Sequence, residues 1–379
     1  MPVSNFSIQR FIPELTSGLI TVISDNYNDT HSFAGMAKEL RPQSDPKIQI
    51  KGKVFDRRVA TDIPEASEAK LIQDTKSTDE MFTAPQYGQG FGITANDLLV
   101  NPEYGVAWGS VLSPGSGSTL QNRTRNASAA CIEMIRRAED YQIKQILDTA
   151  TLQFDNYQTI DFGRDANNSE VISTSNLKWT IANASTMVPL TDIDRWCEQV
   201  SDRGNAGGDE FIHIMGVAEY AAFVNSDQYK ADSDIRRNYK IVKIPGIDSK
   251  MNMNIPNGAT YRGSIIDGKV GVSHIFTYNE TYSSAVATPA KWVTTGNVYT
   301  IATGNVFVRQ PVMTPNMVSL MPMSADMKAL IRAIPQTNGW LIHPEWNKCT
   351  MQNLVIGIYR KFLTIPLTPN KTYTSTVNS

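Results

Sequence analysis

An alternation of polar and apolar positions predicts a long hairpin in the first quarter of the chain. In KIQIKGKVF (47–55), lysine and glutamine alternate with isoleucine, glycine and valine, which is the period of two that a strand shows. A second extended stretch, MFTAPQYGQGFGI (81–93), carries glycine at three alternate positions, which leaves one face of a strand bare. The residues between the two stretches are rich in charge and offer little to bury. The pattern therefore indicates two strands with a polar tip over 47–98.

This ribbon over 47–98 needs a surface to lie on. An isolated two-stranded ribbon is marginally stable in water, and both of its edges remain open for pairing. We expect that surface to be another copy of the protein. The alternative is a mobile insertion that has no partner.

The longest helical pattern follows at 118–150. It contains no internal glycine or proline, and four isoleucines and an alanine recur on roughly one side. At 1.5 Å per residue, about 30 residues span roughly 45 Å, well beyond the usual globular helix. Two pairs at a spacing of four residues are predicted to face water or a neighbour: Glu133 with Arg137, and Asp140 with Lys144.

Short segments after the helix predict a hairpin and then an α/β region. YQTIDF (157–162) and EVISTSNLKW (170–179) are typical of strands, and the Gly, Asp and Asn residues between them are turn formers. Further elements are predicted as helices at 191–202 and 217–229, a buried strand at 211–216, and strands within 239–247, 263–272, 273–282 and 292–315.

Composition narrows the class of protein without naming a function. The chain has 379 residues, 41% hydrophobic and 19% charged, with a net charge of -2. Without a basic excess, we expect any contact with DNA to be weak, local or indirect. Three separated cysteines, Cys131, Cys197 and Cys349, argue against a disulfide framework and for a reducing compartment. The sequence shows no secretory signal and no apolar run of membrane-spanning length, so we expect a soluble intracellular protein.

The triplet Asp-Phe-Gly at 161–163 raises the possibility of a kinase. A kinase also needs a phosphate-binding glycine loop, a His-Arg-Asp loop and a strand lysine, and none of these occurs. The triplet is better explained as the end of a strand followed by a turn glycine. The histidines lack metal-ligand spacing and are expected to be structural. We therefore predict no catalytic, cofactor-binding or metal site.

The order of these parts resembles the major capsid proteins of tailed bacteriophages, and within them the phage lambda-type family. Four segments carry the resemblance: 82–99, 135–150, 158–179 and 290–320. Within the third segment, five residues stand in places characteristic of the family: Asp161, Gly163, Arg164, Asn168 and Trp179. No segment is a catalytic signature, and their shared order is the stronger argument.

The resemblance implies an α+β protein with the Hong Kong 97-like fold. Its parts would be an N-terminal arm (1–46), an extended loop (47–98), a peripheral domain with the spine helix (99–205), an axial domain (206–305), a return to the peripheral domain (306–335) and a C-terminal extension (336–379). The extension departs from the family pattern, and we interpret it as a small added domain or a strap over a neighbour.

The implied function is that of a non-enzymatic shell subunit. Such a protein would assemble in the host cytoplasm into hexamers and pentamers of an icosahedral virion capsid, enclosing double-stranded DNA without sequence-specific binding or membrane contact. Portal, scaffold and decoration proteins are possible partners. The alternatives are the shell of a bacterial nanocompartment and, from another class, a small-ligand-binding or phosphotransfer protein.

Five residues of the ribbon and its root are candidate contacts between subunits: Arg57, Arg58, Phe82, Tyr87 and Phe91. The two arginines could pair with carboxylates of the next subunit, or they could be solvated side chains. The three aromatic rings lie in the return strand of the predicted ribbon.

Overall fold

The computed structural model describes most of the chain between Phe33 and Asn378. The described residues are 33–43, 45, 47–52, 78–94, 119–154, 157–207, 209–233, 241–242, 255–256, 258–266, 268–283, 289–313, 340–346 and 353–378. Within them the α-helices are α1 (Thr119–Thr149), α2 (Pro189–Gly204), α3 (Val217–Asn225) and α4 (Asp227–Ser233). None of the described helices is long and apolar enough to cross a membrane.

The described strands follow in chain order. They are β1 (Ala37–Glu39), β2 (Lys47–Gly52), β3 (Thr78–Thr83), β4 (Gln86–Thr94), β5 (Thr151–Phe154), β6 (Tyr157–Asp161), β7 (Ser169–Val171), β8 (Phe211–Met215), β9 (Ile241–Val242), β10 (Thr260–Ile265), β11 (Ser273–Thr277), β12 (Thr281–Tyr282), β13 (Ala290–Lys291), β14 (Asn297–Ala302), β15 (Phe307–Val312), β16 (Trp340–Trp346), β17 (Asn353–Pro366) and β18 (Thr372–Thr376).

The predicted long helix is confirmed as α1, which has 31 residues and a length of about 46 Å. Its apolar side is buried in two places. Near the middle of the helix, Ile132 and Ile135 pack in one cluster, and toward the C-terminal end Ile143 and Ile146 pack in a larger one. Because these side chains recur with the 3.6-residue period of a helix, they form one apolar face, and burial of that face stabilises the helix against the core.

One of the two predicted charge pairs on α1 is confirmed and the other is wrong. Glu133 and Arg137 form an exposed ion pair. Lys144 instead pairs with Asp148, with 2.6 Å between Nζ and Oδ2. The reason is that Asp140 lies on the buried side of the helix and is only 3% exposed.

A five-stranded sheet packs against α1. Its order is β1-β15-β17-β16, and β4 also pairs with β17. The 14-residue strand β17 is antiparallel to β15, β16 and β4, while β1 is parallel to β15. Alternate side chains of β17, among them Ile356 and Ile358, pack with Ile132 of the helix. This alternation places one face of the sheet against α1.

A seven-stranded sheet forms the second layer of the molecule, in the order β7-β18-β14-β8-β11-β10-β9. Strand β8 was predicted as a buried strand at 211–216, and all five of its residues are buried. It lies between β14 and the parallel strand β11. Both faces of such a central strand are covered, which explains its continuous run of large side chains.

The predicted hairpin of 157–162 with 170–179 is wrong. Strand β6 pairs antiparallel with β5, the strand that directly follows α1. That local pairing sets Leu152 opposite Ile160, and both are buried in the large core. The second predicted strand is reduced to β7, which pairs parallel with β18.

The predicted ribbon is confirmed at its root, with one correction. Strands β2 and β3 form an antiparallel two-stranded sheet from Lys47 opposite Thr83 to Gly52 opposite Thr78. Residues 53–77 lie outside the described residues. The return stretch 81–93 is divided at Ala84 and Pro85, and β4 joins the protein's own five-stranded sheet. Proline has no N–H for a ladder, so a strand break there is expected.

The C-terminal segment is built into both sheets. The segment 336–379, predicted as an added domain or a strap, supplies β16 and the long β17 to the first sheet and β18 to the second. Helix α2, which precedes the predicted domain boundary after residue 205, packs with the second sheet, where Trp196 of α2 and Phe211 of β8 share one cluster. The apolar face of α2 explains this placement, because it needs a complementary apolar surface and the sheet provides one.

Candidate functional site

The three aromatic candidates in the return stretch contact their own chain. The ring of Tyr87 stacks on Phe362 of β17, with 4.8 Å between ring centroids, and its hydroxyl accepts a hydrogen bond of 3.0 Å from Gln142 of α1. Phe91 packs against the cluster between α1 and the first sheet, and Phe82 packs against the large core. An additional role between subunits stays a prediction for these rings. Arg57 and Arg58 lie outside the described residues.

The glycines of β4 form a bare face, as the alternation predicts. Gly88 lies opposite Tyr359 of β17, and Gly90 lies opposite Gly357. The Tyr359 ring rests on Gly88 and Gly357. A Cβ at Gly88 would lie 2.5 Å from Tyr359 Cδ1, and one at Gly357 would lie 2.7 Å from Cε2. The glycines are therefore required for the close approach of this ring, not for binding phosphate.

A buried cluster of charges joins α1 to strands β1, β15 and β17 of the first sheet. Glu139 of α1 is 2% exposed and accepts from two arginines. Arg309 of β15 contacts it at 2.9 Å, and Arg360 of β17 pairs with its other oxygen. Arg360 also pairs with Glu39 of β1 at 2.7 Å, and its guanidinium lies 4.7 Å from the centre of the Trp340 ring.

This charge cluster ties together segments that are far apart in sequence. Arg360 is fully buried, and an unpaired charge in that position would be very costly. Burial raises the pKa of Glu39, while the field of Arg360 acts in the opposite direction. The cluster therefore fixes β1, which leads toward the ribbon, against α1 and the sheet.

Arg164 closes the C-terminal end of α1. Its Nη1 donates to the carbonyl of Leu147 at 2.9 Å, and its Nη2 donates to the carbonyl of Asp148 at 3.0 Å. The last carbonyls of a helix lack partners within the helix, and a cation also complements the helix dipole there. Nη1 also contacts Thr374 Oγ1 of β18 at 3.1 Å, so Arg164 connects the helix end to the second sheet.

Asp148 makes a second connection at the same place. Its carboxylate pairs with Lys144 and accepts a hydrogen bond of 2.5 Å from the hydroxyl of Tyr299 in β14. Burial, followed by the charge of Asp148, raises the pKa of Tyr299, so this phenol stays protonated and remains a donor. The end of α1 is thus bonded to two strands of the second sheet.

The Asp-Phe-Gly triplet is a strand end and a turn, as its sequence context predicts. Asp161 is the last residue of β6, and its Oδ1 accepts from the amide of Gly163 at 2.9 Å. Gly163 has φ of 66°, in the left-handed region that favours glycine. The turn delivers Arg164 to the helix end.

The two remaining residues singled out by the resemblance contact other parts of the chain. Asn168 is buried, and its Nδ2 donates to the carbonyl of Asn370 at 2.8 Å, between β17 and β18. Trp179 donates from Nε1 to Asp192 of α2 at 3.0 Å and stacks on Trp196. All five residues thus have structural partners in this protein.

One arrangement has the appearance of a catalytic triad but lacks access for a substrate. Ser264 Oγ lies 2.6 Å from Nδ1 of His274, whose Nε2 lies 3.1 Å from Glu210 Oε2. Ser264 is fully buried in β10, which pairs with β11. A nucleophile must reach a substrate carbonyl, which a fully buried hydroxyl does not. We therefore interpret these hydrogen bonds as structural contacts within the sheet. His213 is also fully buried, and burial lowers its pKa to about 3.

The residues of the buried charge cluster were not predicted from the sequence. Glu139 had one signal, because it lies in phase with Ile135 and Ile143 on the apolar side of the helix. Arg360 interrupts an otherwise apolar run near the C-terminus. Their pairing gave no local signal, since the two residues are 221 positions apart. Among the described residues there is no group of His, Cys, Asp or Glu suited to hold a metal.

Comparison with known proteins identifies the family. Residues 29–323 match the family model described as phage major capsid protein E. This chain belongs to that family. The nanocompartment and ligand-binding alternatives are therefore set aside in favour of a shell-forming phage capsid protein.

Solved structures agree with this capsid protein at the level of the fold. A protein assigned as a prophage capsid protein of E. coli CFT073 is 10% identical, with 96% of this chain and 99% of that chain covered and a TM-score of 0.60. A phage-related protein of Bordetella bronchiseptica RB50 is 11% identical, with 96% and 95% covered and a TM-score of 0.50. No curated protein sequence matches the chain. The capsid protein has the Hong Kong 97-like fold, an α+β architecture.

Proposed function

We propose that this capsid protein assembles into hexamers and pentamers of an icosahedral shell that encloses double-stranded DNA. The observation that carries the proposal is the ribbon. Its root is fixed to the core, where Ile48 is buried and Phe82 packs beside it. The root strands β2 and β3 pair only with each other among the described strands. A two-stranded ribbon is marginal alone, so neighbouring subunits are the expected source of its support.

The shell needs neither an active site nor a strong affinity for its contents. The net charge of -2 favours a shell wall that confines DNA without strong binding and without sequence-specific recognition. Assembly in the host cytoplasm, a virion location and contacts with portal, scaffold and decoration proteins belong to the same proposal. Many copies of a weak contact make a stable shell, because each contact is formed within an assembly.

The ribbon can be shortened without disturbing its root. Gly52 and Thr78 lie directly opposite each other, so an Asn-Gly turn can replace residues 53–77 and close the hairpin. We expect the shortened subunit to keep its thermal midpoint within about 4 °C but to form no closed shells or capsomer rings in negative-stain electron microscopy. Full-length protein under the same conditions is expected to form them.

A second pair of variants tests the arginines at the root of the ribbon. The charge reversal Arg57→Glu with Arg58→Glu is expected to lower the yield of shells about tenfold or more, since like charges would meet across the contact. Lys230→Glu on the exposed side of α4 is the matched control and should assemble normally. Shells formed equally by all three proteins would contradict the assignment of the arginines. Shells from infected cells that hold protein cargo instead of DNA would indicate a nanocompartment.

A further inference from the structure

The outward side of α1 carries an exposed apolar stripe. At 100° per residue, Ala130, Met134 and Tyr141 fall within a sector of about 40°. All three are exposed, with Met134 at 51% and Tyr141 at 39%. Arg137 lies next to them and is engaged in an ion pair with Glu133. Two large apolar side chains exposed on the same side of a helix form a surface that another segment can cover.

A row of aromatic rings leads from this stripe to the first described residue of the chain. The Tyr141 ring contacts Tyr282 at 5.6 Å between centroids, and Tyr282 stacks on Trp292 at 4.4 Å. Trp292 meets Phe33 edge-on at 5.7 Å. Phe33 is fully buried, so the chain is anchored a few side chains away from the stripe.

The residues that precede Phe33 have a suitable composition and length. Residues 24–32, SDNYNDTHS, are almost entirely polar, while 11–23, FIPELTSGLITVI, contain seven large apolar side chains and one charge. Nine extended residues reach about 30 Å, whereas the stripe from Tyr141 to Met134 extends only about 10 Å. The polar link can therefore deliver the apolar segment to the stripe.

We propose that residues 11–23 dock on the Ala130–Tyr141 stripe of α1 in the same chain. The tether at Phe33 gives the segment a high effective concentration at the stripe, which favours its own chain over another copy. Docking covers Met134 and Tyr141 and removes from water an apolar segment that would otherwise favour aggregation.

Proteolysis at Glu14, inside the segment, tests the docking. A Glu-specific protease should cleave there at least about fivefold faster in Met134→Asp than in the unchanged full chain, because cleavage requires the segment to leave the surface. The matched control is Met313→Asp, at a position with 42% exposure after β15, which should leave the rate unchanged. Equal rates in all three proteins would overturn the proposal.

Disulfide trapping identifies the occupant and does not depend on a destabilising change. With Cys349→Ser as the background, Leu19→Cys is combined with Met134→Cys or, as the control, with Met313→Cys. The first pair should form an intrachain disulfide at least about fivefold more abundantly in dilute protein. Equal yields, or a disulfide found only between chains, would overturn docking within one chain. The latter result would assign the stripe to a second copy.

Discussion

The two sheets of this capsid protein are stabilised by different chemistry. The five-stranded sheet buries a carboxylate of α1 between two arginines, and a tyrosine ring rests on Gly88 and Gly357. Against the seven-stranded sheet, the rings of Trp179, Trp196 and Phe223 pack together, and Trp196 stacks on Tyr373 of β18. Charge pairing depends on every partner being present, whereas apolar burial is spread over many contacts. The first sheet should therefore be the more sensitive to single changes of charge.

The largest effect is expected from Glu139→Gln. This change leaves the buried Arg360 and Arg309 without their shared anion, and we expect a loss of about 3–5 kcal/mol in the free energy of unfolding. Chemical denaturation of the assembly-incompetent, ribbon-shortened subunit measures it. Glu133→Gln, which breaks an exposed pair on the same helix, should cost no more than about 0.5 kcal/mol. Similar losses in both variants would contradict the proposed contrast.

Removing the link between α1 and the second sheet should have the next largest effect. Arg164→Gln abolishes two charged hydrogen bonds to the carbonyls of Leu147 and Asp148, for an expected loss of about 2–3 kcal/mol. Hydrogen exchange should accelerate first in the last turn of α1 and in β18. Arg164→Lys keeps the charge but not the fork of donors, and it should recover only part of the loss. Full recovery would show that charge alone matters.

Acid should weaken the second sheet through a buried histidine. The pKa of His213 is held at about 3 by burial, below its unfolded value of about 6.5. Stability is complete above the unfolded pKa and is lost as the pH falls toward the folded one, by about 2 kcal/mol between about pH 6.5 and pH 5. Paired denaturation curves of the subunit and of His213→Gln should differ by this slope. Parallel pH profiles would exclude His213 as the cause.

The smallest effect tests the glycine face of the first sheet. Gly88→Ala places a Cβ against the Tyr359 ring, and we expect a loss of about 1–2 kcal/mol because the ring must move. Gly92→Ala meets only Val355 at 4.0 Å and is the matched control, with little change expected. The difference between the two variants in thermal midpoint measures the role of the ring. A similar midpoint in both would mean that the ring is free to shift.

Several elements were predictable because their signals are local. The isoleucine repeat of α1, the alternation in β2 and the apolar run of β8 each arise from one element that buries one face or both. The turn glycine at 163 followed from its polar neighbours. The predicted hairpin of 157–179 was wrong for a different reason. The pattern correctly indicated extended chain, but it did not indicate that β6 pairs with β5 and β7 with β18.

The candidate site was less predictable than the fold. The Phe82, Tyr87 and Phe91 rings were identified as apolar and extended, yet only the structure shows that they pack on their own core. The predicted charge pair of Asp140 with Lys144 failed because the helix side that is buried depends on the sheet it meets. Glu39 and Arg360 could not have been paired from sequence, since their contact spans 321 positions.

By itself, the sequence determined the long helix, the strand-forming stretches and the turn at Gly163. These features follow from side-chain periodicity, backbone preferences and composition, which act over a few residues. Only the tertiary structure decided that the C-terminal strands complete both sheets, that β4 leaves the ribbon, and that buried arginines share a glutamate. The pairing of strands and of buried charges depends on contacts between residues that are distant in sequence, and a local sequence pattern does not predict those contacts.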